Sequence, residues 1–266
     1  MPSYARVSLR LRIGFGYSIP VGNAVSITGT IITHNEESHI AEAISSLSCC
    51  DEVLVVDSGS TDRTREIAER CGARVLSRPW DGYSRQKNFA AGEAHHDWIL
   101  SLDADERVSA ELASEIAQWK RSAAGAGGSM PRRVFYLGAW IRHSGWYPDR
   151  KLRLYDRRRA RWRGDFVHET LEIEGPIAAF AGDLLHFPYR TWQDHLHRID
   201  RYTKLAADAA RKDGKRGNVL RLLLAPPLIF LKAFVLRAGF LDGWRGALIA
   251  AAGARYVFQR ELRILR

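Results

Sequence analysis

The sequence is poor in cysteine, with three among its 266 residues: Cys49, Cys50 and Cys71. Three cysteines cannot build a disulfide framework, and no C-x-x-C pair is present to start a zinc ribbon. A few unpaired cysteines are typical of a protein in a reducing compartment.

Long apolar runs are also missing. The longest candidate, residues 222–231, contains two prolines and is followed by Lys232. A membrane-spanning helix needs roughly 20 apolar residues, so we predict none. Arginines and glycines interrupt residues 1–24, which do not resemble a secretory signal. We expect residues 1–24 to be a poorly ordered leader, or an over-extended start of the reading frame.

Two phosphate-binding motifs are absent. No G-x-G-x-x-G follows the first predicted strand, and no G-x-x-x-x-G-K-[ST] occurs anywhere. These absences exclude the dinucleotide fingerprint and the P-loop. Any phosphate must therefore be held by something other than a glycine-rich turn.

Acidic residues are too few to balance the basic ones, and the net charge is +10. Residues 1–24 carry +3, while residues 148–163 and 219–266 carry +6 each, so the rest of the chain is acidic. Such segments indicate a polyanionic partner, namely nucleic acid, a phosphorylated substrate or an anionic membrane. The alternative is that they are solvated surfaces that keep the protein soluble.

The first half of the chain alternates between apolar β-branched runs and amphipathic stretches. Strands are predicted at 25–33, 52–56, 74–77 and 98–102, and helices at 36–47, 60–71, 83–94 and 109–120. We expect Ser60 or Thr61 to cap the second helix, and 123–128 to be a flexible loop. This alternation predicts an α/β fold: a mostly parallel sheet with helices on both faces.

The alternation stops after Met130. Residues 131–190 are strand-like and rich in aromatics, 194–211 are helical, and 219–266 form two amphipathic helices. We therefore divide the chain into the leader and three further parts, which are 25–125, 126–212 and 213–266.

Polar clusters follow three of the predicted strands. They begin at Thr33, Asp57 and Asp103. Ligands of parallel α/β sheets bind outside the carboxyl ends of the strands, so we expect these clusters to share one edge.

The last cluster contains Asp103 and Asp105, two residues apart. Their carboxylates are hard oxygen ligands for Mg²⁺ or Mn²⁺, and such an ion can neutralise a diphosphate. The alternative is that the two carboxylates are solvent-exposed residues in the first turn of a helix, where acidic residues are favoured. Asp57 has two interpretations that are compatible: it accepts hydrogen bonds from a ribose or base, or it builds its own loop.

Several motifs together resemble those of inverting family-two glycosyltransferases of GT-A fold, and more closely the lipopolysaccharide core β-1,4-glucosyltransferases. The first motifs are TxNEE from Thr33, VVDSGSTDRT from Val55, RPWDGYSRQKN from Arg78 and LDADE from Leu102. The others are WIRHSGWYPDRKLRLY, VHE and GFLDGWRG, which extend the resemblance over roughly residues 25–260. The resemblance implies a sugar-nucleotide donor, UDP-glucose, and an inner-core heptose of a lipid-linked oligosaccharide as acceptor.

The resemblance also implies roles for particular residues. Those that match nucleotide-binding positions are Thr33, Asn35, Glu36, Asp57, Lys87 and Asp103. Asp103 and Asp105 match the metal-binding pair, which implies a metal-dependent enzyme that uses Mg²⁺ or Mn²⁺.

Inversion by single displacement requires a carboxylate to take the proton of the acceptor hydroxyl. Glu169 is our first choice for this base, with Asp165 and Glu172 as alternatives. His168 is a candidate for orienting the base, and His186 for completing the metal shell.

The second half of the chain suggests the acceptor side and a membrane contact. An aromatic set is either a sugar platform or core packing, and it comprises Trp140, His143, Trp146 and Tyr147. We expect the basic stretch 150–163 to meet phosphates of the acceptor or of lipids. The basic, apolar segment 219–266 is typical of helices that lie in a membrane interface. We therefore expect a peripheral protein on the cytoplasmic face of the bacterial inner membrane.

Two other functions stay open from the sequence. A polyisoprenyl-phosphate sugar transferase would share the acidic pair and the tail, but would use a lipid phosphate acceptor. A basic, non-enzymatic module that binds nucleic acid or membranes is a distant alternative. We expect no nucleic-acid partner, because no nucleic-acid-binding motif is visible and the acidic clusters would repel phosphate in the absence of a metal.

Overall fold

The computed structural model describes residues 24–164 and 169–265 of the chain. The predicted leader, residues 1–24, lies outside the described residues except for Ala24. Asp165 and His168, which were considered for catalysis, also lie outside them.

A ten-stranded mixed sheet forms the centre of the molecule, beside a two-stranded hairpin of β9 and β10. The strands are β1 Ile27–Thr33, β2 Glu52–Asp57, β3 Arg74–Ser77, β4 Trp98–Asp103, β5 Glu106–Val108, β6 Gly127–Tyr136, β7 Ala139–Trp140, β8 Asp149–Asp156, β9 Ala160–Arg163, β10 Thr170–Ile173, β11 Ile177–Ala179 and β12 Leu184–His186. The helices are α1 Ile40–Ser46, α2 Thr64–Arg70, α3 Tyr83–Glu93, α4 Ala110–Trp119, α5 Trp192–Lys212, α6 Val219–Leu231 and α7 Trp244–Leu265.

The sheet has a parallel half and a mixed half. Its main order is β3-β2-β1-β4-β8-β6-β12-β5, and the first four strands are mutually parallel. The strand β8 then pairs antiparallel with both β4 and β6. The change of direction occurs at β4, the strand that leads into Asp103.

Helices cover both faces of the parallel half, as the sequence predicted. Alternate residues of β1 show this: Ile31 packs in a cluster with Ile40 and Leu112, whereas Ile32 packs with Ala90 of α3. Alternation of this kind follows from the two-residue period of a strand. Both faces are apolar because both are buried.

Two local predictions were wrong. The strand β6 begins at Gly127, inside the loop expected at 123–128, and the short strand β5 was not foreseen. Glycine is required here for space, since a Cβ on Gly128 would lie 2.2 Å from the ring of Phe180. The composition that suggested a flexible loop therefore reflects close packing.

The start of α2 also differs from the prediction. The helix begins at Thr64, and neither Ser60 nor Thr61 caps it. Asp62 accepts the Thr64 backbone N–H at 3.0 Å instead. Ser60 and Thr61 are used to join two loops, as described below.

The apolar helix in the C-terminal part is longer than the run 222–231 that the sequence singled out. A π-helical turn, Lys232–Leu236, continues α6, so that residues 219–236 form one helical stretch. These 18 residues have a mean hydropathy of 2.1, and none of them is buried. The helix passes through Pro226 and Pro227 without a break, in agreement with the helix that the sequence predicts from residue 219. Length and composition alone do not distinguish a span from a helix that lies on a surface.

Candidate active site

Three strand ends meet at one edge of the sheet. In the parallel register Thr33 of β1 lies opposite Asp57 of β2, and Ile32 lies opposite Asp103 of β4. The three polar clusters are therefore neighbours. This edge, which we call the rim, is where a parallel α/β sheet binds its ligands.

The first two loops of the rim are joined by hydrogen bonds. The side-chain oxygen of Asn35 accepts the backbone N–H of Thr61 at 2.8 Å, and Ser60 Oγ accepts the N–H of Asn35 at 2.9 Å. Thr64 Oγ1 accepts the N–H of Glu36 at 2.8 Å. Asn35 adopts a φ of 56°, which asparagine tolerates better than most residues. These contacts make the two loops a single wall.

Asp57 is fully buried and builds its own loop. Its carboxylate accepts the backbone N–H groups of Gly59 and Ser60, both at 3.0 Å, and the hydroxyl of Ser60. The structure therefore shows the loop-building role of Asp57. Its role in nucleotide binding stays a prediction.

Asp103 contacts two cationic side chains. Lys87 Nζ lies 3.0 Å from one carboxylate oxygen, and a guanidinium nitrogen of Arg153 lies 2.6 Å from the other. Burial favours a raised pKa for Asp103, but Arg153 and Lys87 outweigh it and hold the pKa well below the usual range. Asp103 is therefore a carboxylate at every physiological pH.

Glu169 belongs to the same cluster. Its Oε1 lies 3.2 Å from Lys87 Nζ, and Lys87 Nζ lies 4.5 Å from the ring centroid of Trp162. The side chain of Glu169 is 25% exposed, so it is accessible from the rim. Glu172, an alternative base, lies on β10 and pairs with Arg163 on the surface, with its side chain 64% exposed. Of the described candidates, Glu169 is the one in contact with the rim cluster.

A buried ion-pair network extends from Asp103 into the sheet, and the sequence analysis missed it. Arg153 of β8 also contacts Glu106 at 2.6 Å, and Arg132 of β6 contacts Glu106 at 3.2 Å and Asp149 at 2.7 Å. Glu106 is fully buried. The sequence contains one sign of this network. An arginine, Arg153, lies between two leucines in the run KLRLY, and the pattern of that run is typical of a buried strand.

Asp105 differs from Asp103 because its ion-pair partner among the described residues is a histidine. Its carboxylate lies 3.3 Å from His186 Nε2 of β12. Burial favours a raised pKa for Asp105, but contact with His186 outweighs it and keeps the pKa below the usual value. Within the described chain, no three His, Cys, Asp or Glu residues form a group that could hold an ion. Metal binding by Asp103 and Asp105, with His186 beside them, therefore stays a prediction.

Glu36 is a carboxyl group with an altered titration. Burial, and next the charge of Asp105, raise its pKa from 4.5 to about 7, against the opposing charges of Arg190 and Arg198. Arg190 donates to Ser38 Oγ, and Arg198 lies on α5. The start of α5 therefore brings positive charge to the acidic rim, which the sequence analysis did not foresee.

The aromatic set of the second half is largely packed. Trp146 stacks on Tyr189 with a centroid distance of 6.2 Å, and Trp140 lies edge-on to Phe135 at 5.1 Å. Tyr147 donates to Asp183 at 3.0 Å. These contacts support the packing alternative for the three residues.

The basic stretch 150–163 is engaged within the protein more than the sequence suggested. Arg153 is buried against Asp103 and Glu106, and Arg157 donates to Asp97 at 3.1 Å. Arg153 is therefore not available to a lipid phosphate, contrary to the expectation for this stretch.

An open cavity of about 440 Å³ lies between α5 and α7 and is lined by residues such as His197, Arg201 and Arg255. Its lining includes none of the predicted site residues. The candidate site is the open rim.

Comparisons with known proteins identify the family of the chain. The family model for glycosyl transferase family 2 matches residues 30–171. The lipopolysaccharide core biosynthesis glycosyltransferase LpsC of Rhizobium meliloti is 30% identical over 88% of this chain and 93% of its own. An uncharacterized glycosyltransferase of Rickettsia typhi is 33% identical over 90% of this chain and 87% of its own.

A solved glucosyl-3-phosphoglycerate synthase from Mycobacterium tuberculosis, in complex with Mn²⁺, UDP and phosphoglyceric acid, is also similar. It shares 26% identity over 43% of this chain and 44% of that chain, with a TM-score of 0.35. A TM-score this low carries no conclusion about ligands. The family match and the full-length relatives, together with the strand-end carboxylates, show that the chain belongs to glycosyltransferase family 2.

Proposed function

We propose that this chain transfers a hexose from a sugar nucleotide, UDP-glucose, to a sugar of the lipopolysaccharide inner core. The family supplies glycosyl transfer, and the name of the Rhizobium meliloti relative supplies the acceptor class. That name also favours a saccharide over a polyisoprenyl phosphate as the acceptor. The observation that carries the proposal is the cluster of Asp103, Lys87 and Glu169 at the carboxyl end of β4.

The proposed donor site is the wall of joined loops together with the end of β4. Thr33 Oγ1 is buried there without a hydrogen-bond partner among the described residues. Buried hydroxyls normally have a hydrogen-bond partner. The unpaired hydroxyl of Thr33 therefore supports nucleotide binding here, because a group of the nucleotide would complete its hydrogen bond. The nucleotide-binding set we propose is Thr33, Asn35, Glu36, Asp57, Lys87 and Asp103.

We propose Asp105 and Asp103 as the protein's carboxylate ligands for Mg²⁺ or Mn²⁺, with His186 beside them. Asp105 is better suited, because both oxygens of Asp103 already contact cations. Such an ion would neutralise the diphosphate of the donor. Arg190 and Arg198 add positive charge on the same side of Asp105.

The proposed reaction is a single displacement with inversion. The acceptor hydroxyl oxygen forms a bond to the anomeric carbon, the bond from that carbon to the diphosphate oxygen breaks, and its electron pair leaves with UDP. Glu169 takes the proton of the hydroxyl as the new bond forms. Lys87, 3.2 Å from Glu169 Oε1, fixes the carboxylate beside Asp103.

We also propose that the protein works at the cytoplasmic face of the bacterial inner membrane, as a peripheral protein. The basic and apolar segment 219–266 supports this location. A lipid-linked acceptor would be presented at that surface.

A transfer assay tests the proposed function. The full chain would be incubated with UDP-glucose, Mn²⁺ and a de-acylated inner-core oligosaccharide, and the product linkage determined by proton NMR. We expect a β-linked glucose. An α-linked product would overturn inversion, and transfer to a polyisoprenyl phosphate alone would overturn the acceptor.

A further inference from the structure

The side of α6 that faces away from the molecule carries apolar residues along its whole length. They recur every three or four positions, which places them on one face of the helix. Each is at least 50% exposed, and they are Leu220, Leu223, Leu224, Leu228, Leu231 and Val235. The surface continues onto the residues that follow, with Leu236, Phe240, Leu241 and Trp244 each more than 50% exposed. We call these ten residues the apolar stripe.

A surface of this extent indicates a partner. Soluble monomers rarely expose contiguous apolar patches beyond a few hundred Å². The stripe covers four turns of helix and the connection to α7, and ends at a tryptophan. Tryptophan is enriched at the interface between lipid and water.

The charge around the stripe is positive. Lys215, Arg216, Arg221 and Lys232 are exposed beside it or within it. One exposed acid, Asp213, pairs with Lys215 at 3.2 Å. The two acids of residues 219–265, Asp242 and Glu261, have side chains only 7% and 3% exposed. The stripe therefore offers apolar contact with a positive border.

We propose that the apolar stripe docks on an anionic lipid bilayer, with α6 lying in the plane of the interface. Hydrocarbon would accept the leucines, and anionic headgroups would meet the basic border. A second copy of the chain suits the stripe less well. A two-fold interface would bring two positively charged surfaces together, where like charges repel.

Contacts between α6 and α7 favour this orientation over a helix that crosses the bilayer. α6 packs along α7, and Arg221 of α6 pairs with Glu261 of α7 at 3.3 Å. α7 in turn packs on α5, which is rich in charged residues. A crossing helix would carry Glu261 and Arg260 into hydrocarbon, where charges are costly.

The docked segment is joined to a loop of the second half. Asp242 accepts the backbone N–H of His143 at 2.9 Å and contacts His143 Nδ1 at 3.0 Å. The N–H of Ser144 donates to the carbonyl of Arg237 at 3.0 Å. Docking would therefore hold this loop near the bilayer. A role of the loop in catalysis rests on the proposed function, because it requires the lipid-linked acceptor.

Vesicle flotation tests the docking without any transfer reaction. The full chain would be mixed with vesicles of phosphatidylethanolamine and phosphatidylglycerol, or of phosphatidylcholine alone. The double variant Leu223→Glu/Leu228→Glu places two charges in the stripe, and Leu205→Glu changes an exposed leucine on α5. We expect binding to anionic vesicles to fall at least about tenfold in the double variant, and to be unchanged in Leu205→Glu. Circular dichroism and UDP affinity would show that both variants are folded.

Several results would overturn the proposal. The first is that the double variant binds anionic vesicles as well as wild type does. The second is that wild type binds neutral vesicles as well as anionic ones. The third is that wild type forms a dimer in solution and the double variant is a monomer. Resistance of the membrane-bound protein to alkaline carbonate extraction would show a spanning helix. If wild type does not bind UDP, the proposed function is contradicted, whereas the flotation result still stands on its own.

Discussion

Lys87 is a lysine whose side chain is fully buried at the edge of the candidate site. Its ammonium group contacts Asp103 and Glu169 and lies over the ring of Trp162. A buried lysine is costly unless it is paired, and two carboxylates pair this one. Lys87 therefore holds two rim acids at fixed positions, in addition to any contact that it makes with a donor.

The first residue-scale prediction concerns Glu169. Replacing it with glutamine keeps the shape of the side chain but removes the base. We expect the turnover number to fall by about 10²–10⁴, with UDP affinity changed less than twofold. Transfer kinetics and calorimetry measure these two quantities.

Glu172→Gln is the matched control, because Glu172 is a surface residue paired with Arg163. It should keep wild-type turnover. If Glu169→Gln were as active as this control, Glu169 would not be the base.

The second residue-scale prediction concerns Arg153. Replacing it with methionine leaves the carboxylates of Asp103 and Glu106 without their shared cation. We expect the free energy of unfolding to fall by about 3–5 kcal/mol, as measured by urea denaturation. Arg158→Met, at a side chain that is 62% exposed, should lower stability much less than Arg153→Met does. Equal losses in the two variants would show that the buried network is not stabilising.

The third residue-scale prediction follows from Glu36, whose pKa is raised from 4.5 to about 7. The folded protein holds the proton more tightly than the unfolded chain does, so this group's contribution to stability is complete below pH 4.5. That contribution is lost as the pH rises through about 7.

Between pH 5 and pH 8, we therefore expect wild type to lose stability relative to Glu36→Gln, by at most about 3 kcal/mol. Urea unfolding in EDTA measures the difference in the absence of metal. Glu37→Gln, at an exposed neighbour, serves as the control. Parallel pH profiles for wild type and Glu36→Gln would show that Glu36 titrates normally.

The residues that the sequence identified are those at strand ends. Thr33, Asp57 and Asp103 were found because parallel strands end at one edge. Arg153 was missed because its partners lie about 50 positions away, across an antiparallel pairing that no local pattern reveals. His186 was noted as a candidate, but its contact with Asp105 depends on where β12 joins the sheet.

At the scale of elements, the packing of α7 on the preceding 3₁₀ turn, Gly239–Asp242, depends on glycine. A Cβ on Gly246 would lie 1.8 Å from the carbonyl oxygen of Gly239. We expect Gly246→Ala to lower the free energy of unfolding by about 1–3 kcal/mol, because α7 must move away. Thermal and urea unfolding measure the change.

Gly92→Ala is the contrasting variant. It lies within α3, and nothing lies within 4 Å of an added Cβ. Alanine should therefore raise stability by about 0.5–1 kcal/mol. If Gly246→Ala were as stable as Gly92→Ala, the turn and α7 would not be in close contact.

Periodicity predicted the elements of the first half better than those of the second. The four strands and four helices up to residue 120 are present, because each buries a regular apolar pattern. In the second half, the first of the two helices predicted in residues 219–266 is present as the continuous stretch 219–236. Its packing against α7 is a tertiary effect, which local rules do not include.

At the scale of the whole molecule, the excess positive charge has two different locations. In residues 148–163, Arg153, Arg157 and Arg158 pair with acids of the sheet and its loops. In residues 213–265 several basic side chains surround the exposed apolar stripe. Composition alone gave both segments the same interpretation, but part of the charge in residues 148–163 is used inside the protein, as the buried Arg153 shows.

The rim and the apolar stripe belong to different parts of the fold, and the loop that carries His143 joins the stripe's segment to the second half. This arrangement would let the protein bind a soluble donor while it rests on a surface that presents the acceptor. The central claim is that the rim binds the donor through the acids at the end of β4.

Calorimetric titration with UDP, with and without Mn²⁺, tests that claim most directly. Wild type, Asp105→Asn and the surface control Asp208→Asn would be compared, since Asp208 pairs with Arg211 far along α5. We predict Mn²⁺-dependent UDP binding in wild type and in the control, and a loss of at least about tenfold in Asp105→Asn. UDP binding that is equal with and without Mn²⁺, and equal in all three proteins, would contradict the account.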